Sequence, residues 1–320
     1  MTPQPLAHRV AVVAGATRGA GRGIARMLGE AGATVYCTGR SSRAQPNTSS
    51  HIHAGRPETI EETAELVDAA GGTGIPVRVD HTAPREVAAL FARIEREQKR
   101  LDVLVNILTG EPVKKWSSFW KLPAEDGRIF FDSWLWPHVV TSRHAAPLMV
   151  KGKAGLIVEI IEQHGIGYHG QFYFDLMEIS LKRLAYALAF ELAPKGVAAI
   201  AITPGFMRTE AILEKFGVTE ANWQDAVRKD PNYAVSETPL YAGRAIASLA
   251  ADRNLMKKSG RVFSSWGLSE EYKFCDADGR RPHWGRHYAE KYGDTMNPCD
   301  EGFYKYWFGG AIEKVFPDWP

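Results

Sequence analysis

The chain has 320 residues, long for one domain yet within reach of a single α/β sheet with additions. Its 45% hydrophobic and 24% charged residues, with a formal net charge of +2, describe an ordinary globular protein and give no reason to invoke nucleic acid or an anionic membrane surface. Three cysteines (Cys37, Cys275 and Cys299) lie far apart without metal-type spacing and read as free thiols of a reducing compartment.

The first residues, MTPQPLAHRVAVVAG, lack a signal-peptide layout, and no apolar run reaches the roughly 18 residues of a membrane span. The expectation is a cytoplasmic protein acting on a small molecule. Short apolar, β-branched runs recur at 10–15, 33–39, 75–80, 101–107, 155–160, 197–203 and 260–266, with amphipathic stretches such as EETAELVDAAGG and EVAALFARIEREQ among them. Continuous apolar strands alternating with helices predict a doubly wound, Rossmann-type parallel sheet of about seven strands. Residues 1–270 form that domain, and 271–320 form an aromatic-rich extension that serves as a lid or an oligomer arm.

The first strand leads into AGATRGAGRGIA (14–25). Gly15, Gly19 and Gly21 allow a tight turn and bring backbone close to a pyrophosphate at a helix N-terminus, with Thr17 and Arg18 inside the turn. The second strand ends in TGRS, so Arg40 and Ser41 stand where NAD binders carry an acid. Two guanidiniums near the adenosine ribose suit a 2′-phosphate, which points to NADP(H). A polar, turn-rich segment follows at 41–57. Asp80 closes strand three, where its carboxylate can accept from the adenine amino group, and Asn106 closes strand four. A tryptophan-bearing stretch comes next at 111–123. After strand six, TPGFMRT offers backbone groups of Pro204 and Gly205 and the hydroxyl of Thr209 to a carboxamide, with Phe206 beside them. In the tail, His283 and His287 are spaced i, i+4, half a metal site with no third ligand evident, so no metal is expected.

With AGATRGAG, VNILTG and ELAPKGVAAIAITPGFMRT in place, the chain resembles the short-chain dehydrogenase/reductase family over roughly residues 8–268. RPETIEETAELV and FGVTEANW are similar to a bacterial subgroup with a C-terminal extension, related to mammalian dehydrogenase/reductase member 1. The resemblance implies a nicotinamide cofactor, a homo-dimer or homo-tetramer, and a Ser-Tyr-Lys apparatus in which Tyr donates the proton and Lys lowers its pKa. Family spacing counted back from ELAP puts Phe174 at the Tyr and Glu178 at the Lys. It puts Ile161 or Glu162 at the Ser, and Trp134–Trp136 near the helical Asn.

Neighbours offer substitutes. Tyr173 is one residue off, about 100° round a helix, and Lys182, one turn beyond Glu178, stands in for the Lys or simply pairs with Glu178 on the helix surface. Glu162, Glu178 and the loop residues His164 and His169 can exchange protons beside an apolar pocket of Trp134, Trp136, Phe174 and Phe206. Each of these groups also has a plain reading as packing or solvated surface. Three functions follow. The first is NADPH-dependent reduction of an iminium-like or otherwise activated electrophile. The second is redox-neutral isomerisation, dehydration or cyclisation using Glu162 and Glu178. The third is non-catalytic NADP binding.

Overall fold

The computed structural model describes residues 4–46, 55–109, 117–162, 168 and 171–292. The expected roles of His164 and His169, and the tail beyond Tyr292, lie outside the described residues. Seven parallel strands, β1 (Val10–Ala14), β2 (Thr34–Gly39), β3 (Thr73–Arg78), β4 (Val103–Asn106), β5 (Gly155–Ile160), β6 (Val197–Thr203) and β7 (Val262–Ser264), lie in the order β3-β2-β1-β4-β5-β6-β7. Strand direction of travel reverses between β1 and β4, so a crevice opens at their carboxyl ends, the place where such sheets bind ligands.

Alternate residues of each strand feed two cores, as a pleat requires. Ala11 and Val13 face Ile24 and Leu28 of α1 (Gly19–Glu30), Val67 of α2 (Ile60–Ala69) and Ile246 of α8 (Pro239–Ala251). Val10 and Val12 face Leu90 and Ile94 of α3 (Pro84–Gln98), Met149 of α5 (Trp136–Gly152) and Ala189 of α6 (Phe172–Leu192). Close helix packing depends on glycine at one contact: a Cβ on Gly23 would stand 2.4 Å from the Pro239 carbonyl carbon of α8.

Two expected strand ends shift by two residues, each for a local reason. Strand β3 ends at Arg78 rather than Asp80, because Asp80 turns the chain: its Oδ1 accepts from the Thr82 N–H at 2.9 Å, ahead of Pro84 at the start of α3. The run at 260–266 is strand only to Ser264, whose Oγ accepts from Gly267 N at 3.1 Å and caps α9 (Ser265–Tyr272). Between α4 (Ala124–Phe130) and α5, residues Phe131–Leu135 form a π turn next to Pro137, which has no N–H to continue the α ladder. The start of α2 is fixed by a capping box in which Thr59 and Glu62 exchange backbone and side-chain bonds, both at 3.3 Å.

The described part of the extension folds back onto the domain. Thr238 N donates to Asp276 at 2.7 Å and Tyr241 Oη to the Pro282 carbonyl at 3.3 Å, which brings α10 (Trp284–Tyr292) to the crevice. Among the described residues no helix is long and apolar enough to cross a membrane.

Candidate active site

One cavity of about 600 Å³ runs along the carboxyl ends of the strands. Of the residues expected from sequence, Gly15, Thr17, Arg18, Gly19, Arg40, Ser41, Asp80, Pro204, Gly205 and Thr209 line it, as do Glu162, Glu178, Trp134 and Phe206.

Its adenosine end is built by the glycine turn. Gly15 has φ +96°, and a Cβ there would come within 2.2 Å of the Ile107 carbonyl oxygen. Gly21 does not line the cavity. It supports the turn from behind, where a Cβ would lie 2.1 Å from the Gly15 carbonyl oxygen. Arg18 donates to Ser41 Oγ at 3.3 Å and its Nε lies 3.4 Å from Glu58 Oε2. Arg56 forks onto the same Glu58 through Nε at 3.1 Å. Burial opposes ionisation of Glu58, but the Arg56 hydrogen bonds, a backbone hydrogen bond and the charges of Arg56 and Arg18 together outweigh it and hold the carboxyl below the usual carboxylate range. Burial likewise lowers Arg18, against the attraction of Glu58. His81, also in the cavity wall, is buried between Thr38 Oγ1 at 2.8 Å and Thr141 Oγ1 at 2.9 Å, and burial pushes its pKa down to about 3.

Asn106 lies under the cavity rather than in its wall. Its Nδ2 donates to Ser142 Oγ at 2.9 Å and to Glu159 Oε1 at 3.0 Å, and Ser142 donates to the same oxygen at 3.2 Å. Glu159 Oε2 meets His138 Nδ1, and His138 Nε2 lies 3.0 Å from the Leu108 carbonyl oxygen. With oxygens at both ring nitrogens, the hydrogen-bond pattern requires a proton between His138 and Glu159. His138 also lines the cavity. Sequence reasoning passed over this group, although Glu159 is a lone charge in the apolar run GLIVEI and stands in register opposite Asn106.

At the far end, α6 turns Phe174, Met177, Glu178, Leu181 and Lys182 inward at helical spacing. Glu178 is 1% exposed and accepts the Glu162 backbone N–H at 2.9 Å, tying α6 to the end of β5. Lys182 is buried too, so neither residue lies on the helix surface. Phe174 packs edge-on against Trp134 at 5.7 Å in a core cluster and does not line the cavity. Tyr173 is outside the cavity, with its ring over Gly127 of α4. Trp136 is 42% exposed and stacks on Phe131, because the π turn carries it to the outer face. In its stead Trp284 of α10 lines the cavity, stacked on Phe206 at 5.8 Å. Beneath Gly205, the wholly buried Glu237 accepts from Ser265 Oγ at 2.6 Å, and burial pushes its pKa up to about 8. The Pro204–Thr209 loop is anchored by Arg208, which is buried over Trp223 and donates to the Ser236 carbonyl at 2.7 Å.

A glycine turn opening the first helix, a crevice at the strand-order reversal and a Pro-Gly loop after β6 define a dinucleotide-binding α/β protein. The family model described as short chain dehydrogenase matches residues 9–216, and the chain belongs to that family. It is 35% identical over 287 residues to dehydrogenase/reductase SDR family member 1 of Mus musculus, covering 86% of this chain and 85% of the relative. The Homo sapiens counterpart is also 35% identical, over 284 residues. A solved short chain dehydrogenase from Mycobacterium thermoresistibile shares the fold with a TM-score of 0.69 and 19% identity, covering 88% of this chain and 92% of that one. Membership makes the chain an oxidoreductase-family enzyme for small molecules that uses a nicotinamide cofactor.

Proposed function

We propose that this enzyme binds NADP(H) and reduces a cationic, iminium-like electrophile without the family's Ser-Tyr-Lys apparatus. The observation that carries the reading is Glu178. A buried carboxylate lines the cavity at the place where family spacing puts a lysine, and it is held there by the Glu162 N–H. The cradle fits a dinucleotide, because bare backbone is required where a Cβ at Gly15 would stand 2.2 Å from the Ile107 carbonyl oxygen and one at Gly39 2.4 Å from Thr17 Oγ1, both residues lining the cavity. Gly15, Thr17, Gly19 and Asp80 would hold its adenosine half. Arg18, Arg40 and Arg56 on one wall support a 2′-phosphate.

When bound, the dinucleotide supplies the hydride. The chain's own groups do the rest. Glu178 and Glu162 favour an electrophile carrying positive charge, and in a low-dielectric site that charge interaction is strong. Trp134, Phe206 and Trp284 wall the acceptor and keep water away. An iminium that accepts hydride becomes a neutral amine with no proton needed, so a phenylalanine at 174 is no obstacle.

The test is NADPH consumption with preformed cyclic iminium salts against matched ketones and aldehydes. Oxidation matched to amine formation, with the ketones inert, is the expected result; turnover of ketones alone refutes it. The presence of both Glu162 and Glu178 on the cavity wall, with the Glu162 backbone N–H on Glu178, favours a second reading, redox-neutral proton transfer by these acids, for which product forms without NADPH loss. Binding with no turnover of any acceptor leaves the non-catalytic reading.

An exposed aromatic patch supports assembly as a homo-dimer or homo-tetramer through a second copy. It comprises Trp120 (71% exposed), Phe119, Phe131, Trp136 and Leu176. The whole reading is of a cytoplasmic enzyme.

A further inference from the structure

The N–H groups that open α1 already hold an acid of the chain itself. Gly19 N donates to Glu210 Oε2 at 2.9 Å, across a sequence separation of 191 residues. The same carboxylate acts electrostatically on Arg18, the neighbouring cation. Glu210 is the first residue of α7 (Glu210–Phe216), which sets its backbone and leaves the side chain to rotate. The preceding Thr209 caps α7 by accepting from Ile212 N at 3.4 Å, and its Cγ2 approaches Gly19 so closely that a Cβ there would be 3.3 Å away. A separate carboxylate, Glu58, engages Arg18 and Arg56 on the adjoining wall. The amide and the guanidinium that a diphosphate would use are both matched by acids.

We infer that Glu210 is an internal competitor for the diphosphate of the dinucleotide and sets its affinity. A helix N-terminus favours one negative group over none. It cannot favour two at the same amide, because a diphosphate and a carboxylate in contact repel. Docking of the dinucleotide therefore requires Glu210 to swing out, and the lost bond and the repulsion weaken binding. Release is made easier by the same amount, since the carboxylate returns to Gly19. This inference rests on the reading of the cavity as a dinucleotide site.

The experiment is calorimetric titration of the full chain and of Glu210→Gln with NADPH and with ADP-ribose. The substitution keeps an acceptor oxygen for Gly19 and removes only the charge. Both ligands are expected to bind Glu210→Gln on the order of five- to tenfold more tightly. The advantage should shrink as salt is raised, which a merely structural role for Glu210 would not produce. Melting curves confirm folding, and Glu210→Ala serves as a second variant expected to shift affinity in the same direction. Equal or weaker binding by both variants overturns the inference while leaving the dinucleotide reading intact. No binding of either ligand by any of the proteins overturns both.

Discussion

Glu237 gives the sharpest test of the electrostatics beneath the active-site loop. Its carboxyl is 1% exposed, accepts from Ser265 Oγ and from the Gly205 backbone, and has an Oε1 without a hydrogen-bond partner among the described residues. Burial, with the field of Asp276 adding to it and Ser265, Gly205 and Arg208 opposing it, raises its pKa from 4.5 to about 8. Between those values the native carboxyl keeps a proton that the unfolded chain has released. The native state is thus favoured in full below about pH 4.5, loses stability as pH rises, and levels off above about 8. At 1.36 kcal/mol per decade the ceiling on that loss is about 5 kcal/mol.

Glu237→Gln keeps the shape and the Ser265 bond and cannot ionise. It should match the wild type near pH 5 and exceed it at pH 9 by roughly 3–5 kcal/mol, a difference of about 5–10 °C in melting temperature for a chain of this size. Denaturant titrations of both proteins from pH 5 to 9 measure it directly. Parallel curves across that range would refute the reasoning, since they would mean the buried carboxyl is ionised throughout or relaxes to water.

Removing Arg208 as Arg208→Ala empties a buried site, takes the partner from Glu220 and leaves Asp278 and the Trp223 ring to Arg280 alone, so stability should fall by about 3 kcal/mol in denaturant titration. Arg208→Lys should recover only part of it, having no planar fork for Ser236 and Glu220. The double change Phe174→Tyr with Glu178→Lys restores the family's residue types but loses the bond to Glu162 N. It should lower native turnover at least about tenfold, and increased turnover would sink the repurposing idea. Trp120→Glu combined with Leu176→Glu should shift sedimentation toward the monomer if the aromatic patch joins two copies; an unchanged mass would exclude that face.

Much of the scaffold was legible because parallel strands buried on both faces must be written as unbroken apolar runs, as in VAAIAIT, and because a glycine turn has no substitute at φ +96°. The ends of β3 and β7 were each placed two residues too late, at Asp80 and Trp266, since a side chain that caps a turn reads locally like strand. Trp136 was assigned to the pocket because family spacing puts the helical Asn near Trp134–Trp136. The π turn changes that spacing, and nothing but Pro137 hints at it. Glu210 was illegible altogether: its partner is an amide 191 residues away, and a backbone N–H has no letter in the sequence. His138 falls between these cases. It sits on α5 with no local signal, yet the charge of Glu159 inside an apolar strand demands a partner somewhere.

The placement of acids along the groove then constrains what can bind there. Glu58 faces Arg18, Glu210 faces the opening amide of α1, and Glu178 and Glu162 face the far end, while Glu237 lies beneath Gly205. An anion that docks on the Gly19 amide or on Arg18 has to displace a carboxylate, and a cation does not. A dinucleotide can meet that cost at one end through its many contacts with the glycine turn. On the proposed reading a small acceptor has no such reserve, and its affinity comes from charge of the opposite sign and from the aromatic wall. On the proposed reaction that attraction is lost at the moment of turnover, because hydride transfer leaves the acceptor neutral beside Glu178. The same carboxylate that selects the substrate therefore weakens the hold on the product, a division of labour that a lysine at 178 would reverse.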